Sequence, residues 1–290
     1  MLVETSSVAR ERPLGRGHAA LREIATFAAA YLTYFGVRAV TEGAPWRAYD
    51  NAVALFRLES HVGLDWEGAV QSTVLRSQFL IDAANAVYIY GHWPVLITAG
   101  VLLFRFRPRS YYRLRNVCLL TGLVGLVIFA LFPVAPPRLT DLPMVDTITR
   151  DSEGYRQILP PALVNQYAAM PSFHVGWNLL VGLVVFQATR HWLLRTFAIL
   201  MPAAMAFAVV ATANHFVSDV AAGVIIVLVA FAIVGRLEAR MEAPRIEDGD
   251  APGRADEQPR GRAVRRGAPC RQRPEAAEHR RGARASARRG

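Results

Sequence analysis

The sequence predicts an all-α fold: a polytopic bundle of six transmembrane helices followed by a disordered basic tail. Three observations carry this. The 290 residues are 53% hydrophobic, which is high for a soluble domain. The apolar residues gather into six runs of about 20, the length that crosses a bilayer core. Arginines cluster between these runs, on alternate connections.

The runs are 22–40, 83–104, 117–134, 173–189, 193–212 and 216–235. The third is the most lipid-compatible, with no charge from Thr121 to Phe132. No small-residue cleavage site followed by a soluble domain appears after Val40, so the first run reads as an anchor and not as a signal peptide. Residues 236–290 are rich in Arg, Ala, Gly, Pro and Glu and poor in aromatic and branched apolar side chains. Such a segment cannot bury enough surface to fold. The expected organisation is therefore a cytoplasmic segment at 1–21, a membrane domain at 22–235 and a cytoplasmic tail at 236–290.

Positive charge in short loops sets topology. Arg105, Arg107, Arg109, Arg113 and Arg115 crowd the connection after the second run, and Arg190 and Arg195 lie between the fourth and fifth. Arg236 and Arg240 open the tail, while Arg10, Arg12, Arg16 and Arg22 precede the first run. In a six-helix arrangement all four clusters share one side. That side is expected to be cytoplasmic, with both termini on it, in a multi-pass protein of the plasma membrane. The outer side then receives three connections. The first, 41–82, holds an amphipathic stretch at 52–64 suited to the membrane interface. The second, 135–172, carries Asp141, Asp146, Asp151 and Glu153; the third is the turn at 213–215.

Several classes fall away. Cys118 lies in a membrane run and Cys270 in the tail, so a disulfide framework is not expected. No Cys/His cluster has zinc-site spacing, and neither metal nor other cofactor is signalled. Every basic residue other than histidine is arginine, which reads as composition bias. The tail can attract anionic headgroups. Nucleic acid is not an expected partner, since an Arg-rich segment beside a membrane domain reads as a solvated tail.

Two motifs stand where apolar runs begin on the outer side: Ala-Ala-Met-Pro-Ser-Phe-His at 168–174 and Asn-His-Phe-Val-Ser-Asp at 214–219. Pro171 and Ser172 suit a helix start, with serine as its cap. Free N–H groups there favour an anion, and His174 follows. Asp219 lies one helical turn beyond His215 on the same face. Its carboxylate is expected to hydrogen-bond one ring nitrogen and fix the tautomer, leaving the other as nucleophile or base. Ionisable residues inside membrane helices are costly and usually functional. Arg138, in Ala-Pro-Pro-Arg at 135–138, offers a fork suited to phosphate. In the second run, Asp82, Asn85, Tyr88 and His92 follow one another at spacings that share a helix face. With Asn214 they are expected to line the pocket. Three sequence-distant polar motifs thus converge on one membrane face.

These residues resemble the type 2 phosphatidic acid phosphatase superfamily, six-helix membrane enzymes acting on lipid phosphates. Pro171-Ser172-Phe173-His174 is similar to that family's second motif, usually Pro-Ser-Gly-His. His215 with Asp219 resembles the end of the third, and Arg138 stands for the arginine of the first. The resemblance covers roughly 80–235. It departs in three places. Ala208 and Val209 occupy the positions of a Ser-Arg pair, Leu131 falls where the first motif has lysine, and Phe173 replaces glycine. The two histidine motifs look more like the inositol phosphorylceramide synthase branch, which transfers a phosphoryl-headgroup between lipids.

The resemblance implies that His215 attacks phosphorus and forms a phosphohistidine, oriented by Asp219. It implies that His174 protonates the leaving oxygen and then activates water or an alcohol. Arg138 and Ser172 would hold the equatorial oxygens. The expected activity is a metal-independent lipid phosphatase or phosphotransferase on the outer face, with a lipid phosphate or phospholipid as substrate. The Phe173 and Val209 departures lean towards transfer to an alcohol. A small transporter is the reading from another class. Against it, the two halves show no internal repeat and the polar residues cluster near helix ends. A non-catalytic assembly partner is a third, disfavoured by the intact His174, His215 and Asp219.

Overall fold

The computed structural model describes residues 16–41, 45–151 and 165–242. Within them the chain is helical: α1 (Arg16–Thr41), α2 (Pro45–Val62), α3 (Glu67–Val74), α4 (Gln78–Tyr90), α5 (Trp93–Phe106), α6 (Pro108–Leu131), a 3-10 turn (Pro137–Leu139), α7 (Thr147–Asp151), α8 (Phe173–Ala188), α9 (Trp192–Ala211) and α10 (Val217–Glu242). The expectation of a disordered tail, with Cys270, lies outside the described residues. So does that for Glu153.

Among the described residues, three helices are long and apolar enough to cross a membrane: α6, α9 and α10. The run expected at 83–104 is broken, with α4 and α5 meeting at 42°. Gly91 ends α4, and Pro94 restarts the chain in the first turn of α5, where its missing N–H costs nothing. Counted as one span, the bent pair brings the total to four. Two of the six expected spans fall short. Helix α1 carries Arg22, Glu23 and Arg38, and α8 has only 16 residues.

Helix α8 packs against α5, α6, α9 and α10. Leu180, Val181 and Val184 meet Leu114, Val117 and Cys118 of α6 and Val227, Ala230 and Val234 of α10. Glycines let these backbones approach closely, as small residues do between membrane helices. A Cβ on Gly182 would collide with the Ala198 carbonyl oxygen, and one on Gly176 would press the Gly223 carbonyl at 3.0 Å.

One end of the bundle is the basic end. Arg113 of α6 pairs with Glu238 of α10 at 2.6 Å and donates to Gln187 of α8 at 3.1 Å. Glu23 of α1 accepts from Arg115 at 2.7 Å and from Tyr111 at 3.0 Å. The four basic clusters of the sequence, as far as described, therefore meet at one end. The opposite end gathers the close of α6 and α9 and the start of α8 and α10.

The connection at 41–82 forms two helices that pack on this second end. Ala48, Ala52, Leu55 and Glu59 of α2 are buried at spacings of four, three and four, one face of a helix. That face lies on Val134, Ala135, Ala169 and Phe216. Part of the stretch read from the sequence as suited to the membrane interface is thus buried against protein, while its Leu58, Val62 and Leu64 remain exposed.

Substituting Gly182 with alanine is expected to destabilise the bundle by about 1–3 kcal/mol, because a carbonyl oxygen cannot rotate away as a flexible side chain can. The measurement is the thermal midpoint in detergent.

Candidate active site

The turn between α9 and α10 sets the site. Helix α9 ends in paired backbone bonds: Asn214 N–H to Val209 O at 3.0 Å and Ala213 N–H to Val210 O at 3.0 Å. This is the Schellman closure, which puts the residue after the C-cap in the left-handed region. That residue is Ala213, at φ 53° and fully buried. Glycine usually takes this place because a Cβ is penalised there.

The closure delivers Asn214 and His215 to the bundle interior. Asn214 is locked by its amide, which donates to Thr212 Oγ1 at 2.8 Å. Its Oδ1 accepts from Arg138 Nε at 2.9 Å, and the Arg138 N–H donates to Ala213 O at 2.9 Å. Arg138 Nη1 also meets Asp146 Oδ2 at 3.2 Å. Asp146 Oδ1 caps α7 through the Thr149 N–H at 2.9 Å. The first and third sequence motifs are therefore in direct contact.

His215 is buried, and its Nδ1 lies 2.8 Å from the Ala169 carbonyl oxygen. A carbonyl can only accept, so Nδ1 carries a proton, and in the neutral ring Nε2 holds the lone pair. Asp219 Oδ2 is further from Nδ1, at 3.5 Å. It accepts instead from the Phe216 N–H at 2.9 Å. This corrects the expected pairing. Asp219 sits at the third position of α10 and reaches back to the N-cap N–H, half of a capping box. The tautomer is fixed by a backbone carbonyl of the second motif, with Asp219 as a charge beside it.

The second motif is held by backbone. Val134 and Ala168 form an isolated parallel bridge, with Val134 N–H to Tyr167 O at 3.0 Å and Ala169 N–H to Val134 O at 3.1 Å. The Ser172 N–H donates to the Asp219 carbonyl at 2.9 Å. Any Cβ on Gly223 would strike the Ser172 carbonyl, so only glycine permits this approach. Ser172 takes the N-cap position, but its hydroxyl makes no cap bond and is buried without a partner. Pro171 precedes the cap, after a cis bond from Met170, and does not form the first turn.

His174 stands 5.7 Å from His215 between ring centroids. It stacks on Tyr88 at 4.6 Å and meets His92 at 4.4 Å. Asn178 donates to the His174 carbonyl at 2.8 Å and lies 3.5 Å from His92 Nδ1. Phe173 stacks on Trp177 at 4.9 Å and fills space that a Cβ on Gly125 would take.

Of the expected stripe, His92 and Tyr88 join the histidines. Asn85 is buried but holds the outer loop, donating to Thr147 O at 3.1 Å and accepting from Thr147 Oγ1 at 2.9 Å. Asp82 is exposed and accepts from Gln78 at 2.9 Å, so it stands apart from the pocket. Each three-residue step drifts by about 60° around a helix, so Asp82 lies about 120° from Tyr88 on α4.

Sequence reasoning missed Glu59, Glu67 and Gln71. Glu67 accepts from the Val217 N–H at 2.7 Å and Glu59 from the Ser218 N–H at 2.6 Å. Gln71 donates to Ala211 O at 3.1 Å and accepts from the Val145 N–H at 2.8 Å, tying α3 to the end of α9 and to the outer loop. The available signal was Glu59 itself, a carboxylate on the apolar face of an amphipathic helix. Among the described residues, no group of His, Cys, Asp and Glu is arranged to hold a metal ion.

Burial pushes the Glu59 carboxyl up to about 7, with Glu67 and Asp219 beside it adding to the rise. A raised carboxyl contributes stability that is complete below pH 4.5, its ordinary value, and lost as pH rises through about 7. Glu59→Gln is therefore expected to gain stability relative to wild type as pH rises from 4.5 to about 7 and to hold that gain above it, read as the difference in thermal midpoints. Ala213→Gly is expected to stabilise the protein by about 1 kcal/mol by relieving the left-handed alanine; denaturation of the purified variant checks it.

Among curated proteins and among solved structures, none matches the chain. A family model does, over residues 53–233, and this stretch includes every residue placed above from Glu59 to Gly223. The chain belongs to the PAP2 superfamily.

Proposed function

We propose that the protein is a lipid phosphatase or phosphotransferase whose nucleophile is His215 Nε2. The observation that carries the reading is the hydrogen bond from His215 Nδ1 to Ala169 O, which leaves Nε2 with a free lone pair. His174 is close enough to share one reacting group with it. In the first step Nε2 attacks phosphorus, the bond to the leaving oxygen breaks, and His174 gives that oxygen a proton. In the second, His174 takes a proton from water or an alcohol, whose oxygen attacks phosphorus and breaks the N–P bond. Arg138, held by Asn214 and Asp146, and the unpartnered Ser172 hydroxyl are suited to the phosphoryl oxygens. Asp219, buried 3.5 Å from Nδ1, offsets the positive charge of the phosphorylated ring.

Two features favour transfer over hydrolysis, and with it the inositol phosphorylceramide synthase-like branch. Phe173 brings a stacked aromatic wall where glycine would leave room for water. Ala208 and Val209 are fully packed within α9, so this site holds one fewer phosphate-binding arginine. In this reading α1 and α8 also cross the bilayer, which makes six spans. The site then faces the outer side of the plasma membrane, with the basic end cytoplasmic.

Purified protein in detergent, offered lipid phosphates and then a phospholipid donor with an alcohol acceptor, tests the reading. Turnover is expected, lost in His215→Ala and lowered by about 10²–10⁴-fold in His174→Ala. Turnover that survives His215→Ala would sink it. Phe173→Gly is expected to shift the product ratio from transfer towards hydrolysis; an unchanged ratio removes the aromatic-wall argument.

A further inference from the structure

Three consecutive backbone N–H groups open α10, and each is taken by a different carboxylate. Phe216 donates to Asp219 of its own helix, Val217 to Glu67 of α3, and Ser218 to Glu59 of α2. All three carboxylates are buried, at 0–2% exposure. Each keeps one oxygen without a partner: Asp219 Oδ1, Glu67 Oε2 and Glu59 Oε2.

Capping alone does not explain this. A serine or asparagine cap takes one of the open N–H groups of a helix start, and neutral acceptors would serve all three N–H groups at lower cost. Burying carboxylates is expensive unless their charge meets an opposite one. The helix dipole supplies only about half a positive charge. The phosphorylated imidazole of His215, one residue before this turn, supplies a whole one.

We propose that Glu59 and Glu67 are positioning residues for His215: they clamp the first turn of α10 and place negative charge on the turn that follows the imidazole as it becomes cationic. The inference rests on the phosphohistidine reading. The charged and titratable groups around the ring come from every side. Asp219 is on its own turn, His174 on α8 and His92 at the α4–α5 bend behind it. Arg138 bonds the neighbouring Asn214, and Glu67 and Glu59 come from α3 and α2 onto the backbone N–H groups two and three residues past His215. Arg138 is the one fixed cation in this set, and it already pairs with Asp146. The position of Glu59 near neutrality means that the cluster gains negative charge as pH passes 7. That gain should raise turnover over the same interval.

The test uses the full-length protein with Glu59→Gln, Glu67→Gln and the double variant. Glutamine keeps an oxygen for the N–H and removes only the charge. Each single variant is expected to lose about tenfold in kcat and the double variant about a hundredfold, with KM within about twofold. The rise in kcat across pH 7 should flatten in Glu59→Gln. Glutamine variants with wild-type kcat and pH profile overturn the inference, and so do glutamine variants that no longer fold, since the pair is then structural only. Wild type and His215→Ala in the same assay report on the underlying reading. Turnover absent from wild type, or persisting in His215→Ala, overturns that reading and the inference with it.

Discussion

The hydrogen bond from the Ser172 N–H to the Asp219 carbonyl is the contact on which the site depends. It joins the backbone of two motifs that lie more than 40 residues apart. Both backbones must come within van der Waals range of each other, which Gly223 alone allows. Once they are joined, the Ala169 carbonyl reaches His215 and the start of α8 brings His174 alongside. The bond uses no side chain.

How much was legible in the sequence follows from which interactions are local. Helical periodicity and apolar run length placed α6, α9 and α10, because both depend on neighbours within a few turns. His174, His215 and Arg138 stood out in the sequence because polar groups at membrane helix ends are costly and therefore conspicuous, and the fold brings their motifs together. The break at Tyr90–Trp93 was foreshadowed by Gly91 and Pro94, yet an unbroken apolar run outweighed it. The partner of His215 Nδ1 was misread because i, i+4 spacing names a side chain, whereas the acceptor is a backbone carbonyl 46 residues away. No pattern in one sequence marks which carbonyl will arrive. Asp82 stands apart for a local reason, since two successive three-residue steps carry it about 120° around the helix from Tyr88.

Phe173 and Gly125 form a matched pair across α6 and α8. The ring occupies the space that the glycine leaves, and stacks on Trp177, whose indole N–H donates to Thr121 at 3.0 Å. A bulky residue in the second motif is therefore accommodated by a vacancy in the neighbouring helix. Neither residue is informative without the other, which is why the substitution read from the sequence only as a departure.

In the proposed reading, with α8 across the bilayer, its shortness sets the depth at which chemistry takes place. Its 16 residues at 1.5 Å rise span about 24 Å, against a hydrocarbon thickness of about 30 Å. If its far end lies level with the basic loops, the two histidines sit about 6 Å beneath the headgroup plane. A phosphate borne on a lipid must then sink towards them, drawing its first acyl carbons deeper, while a soluble phosphate ester would have to shed its hydration to follow. Selection for lipid over soluble substrate is in that case a matter of vertical reach, set by the length of one helix.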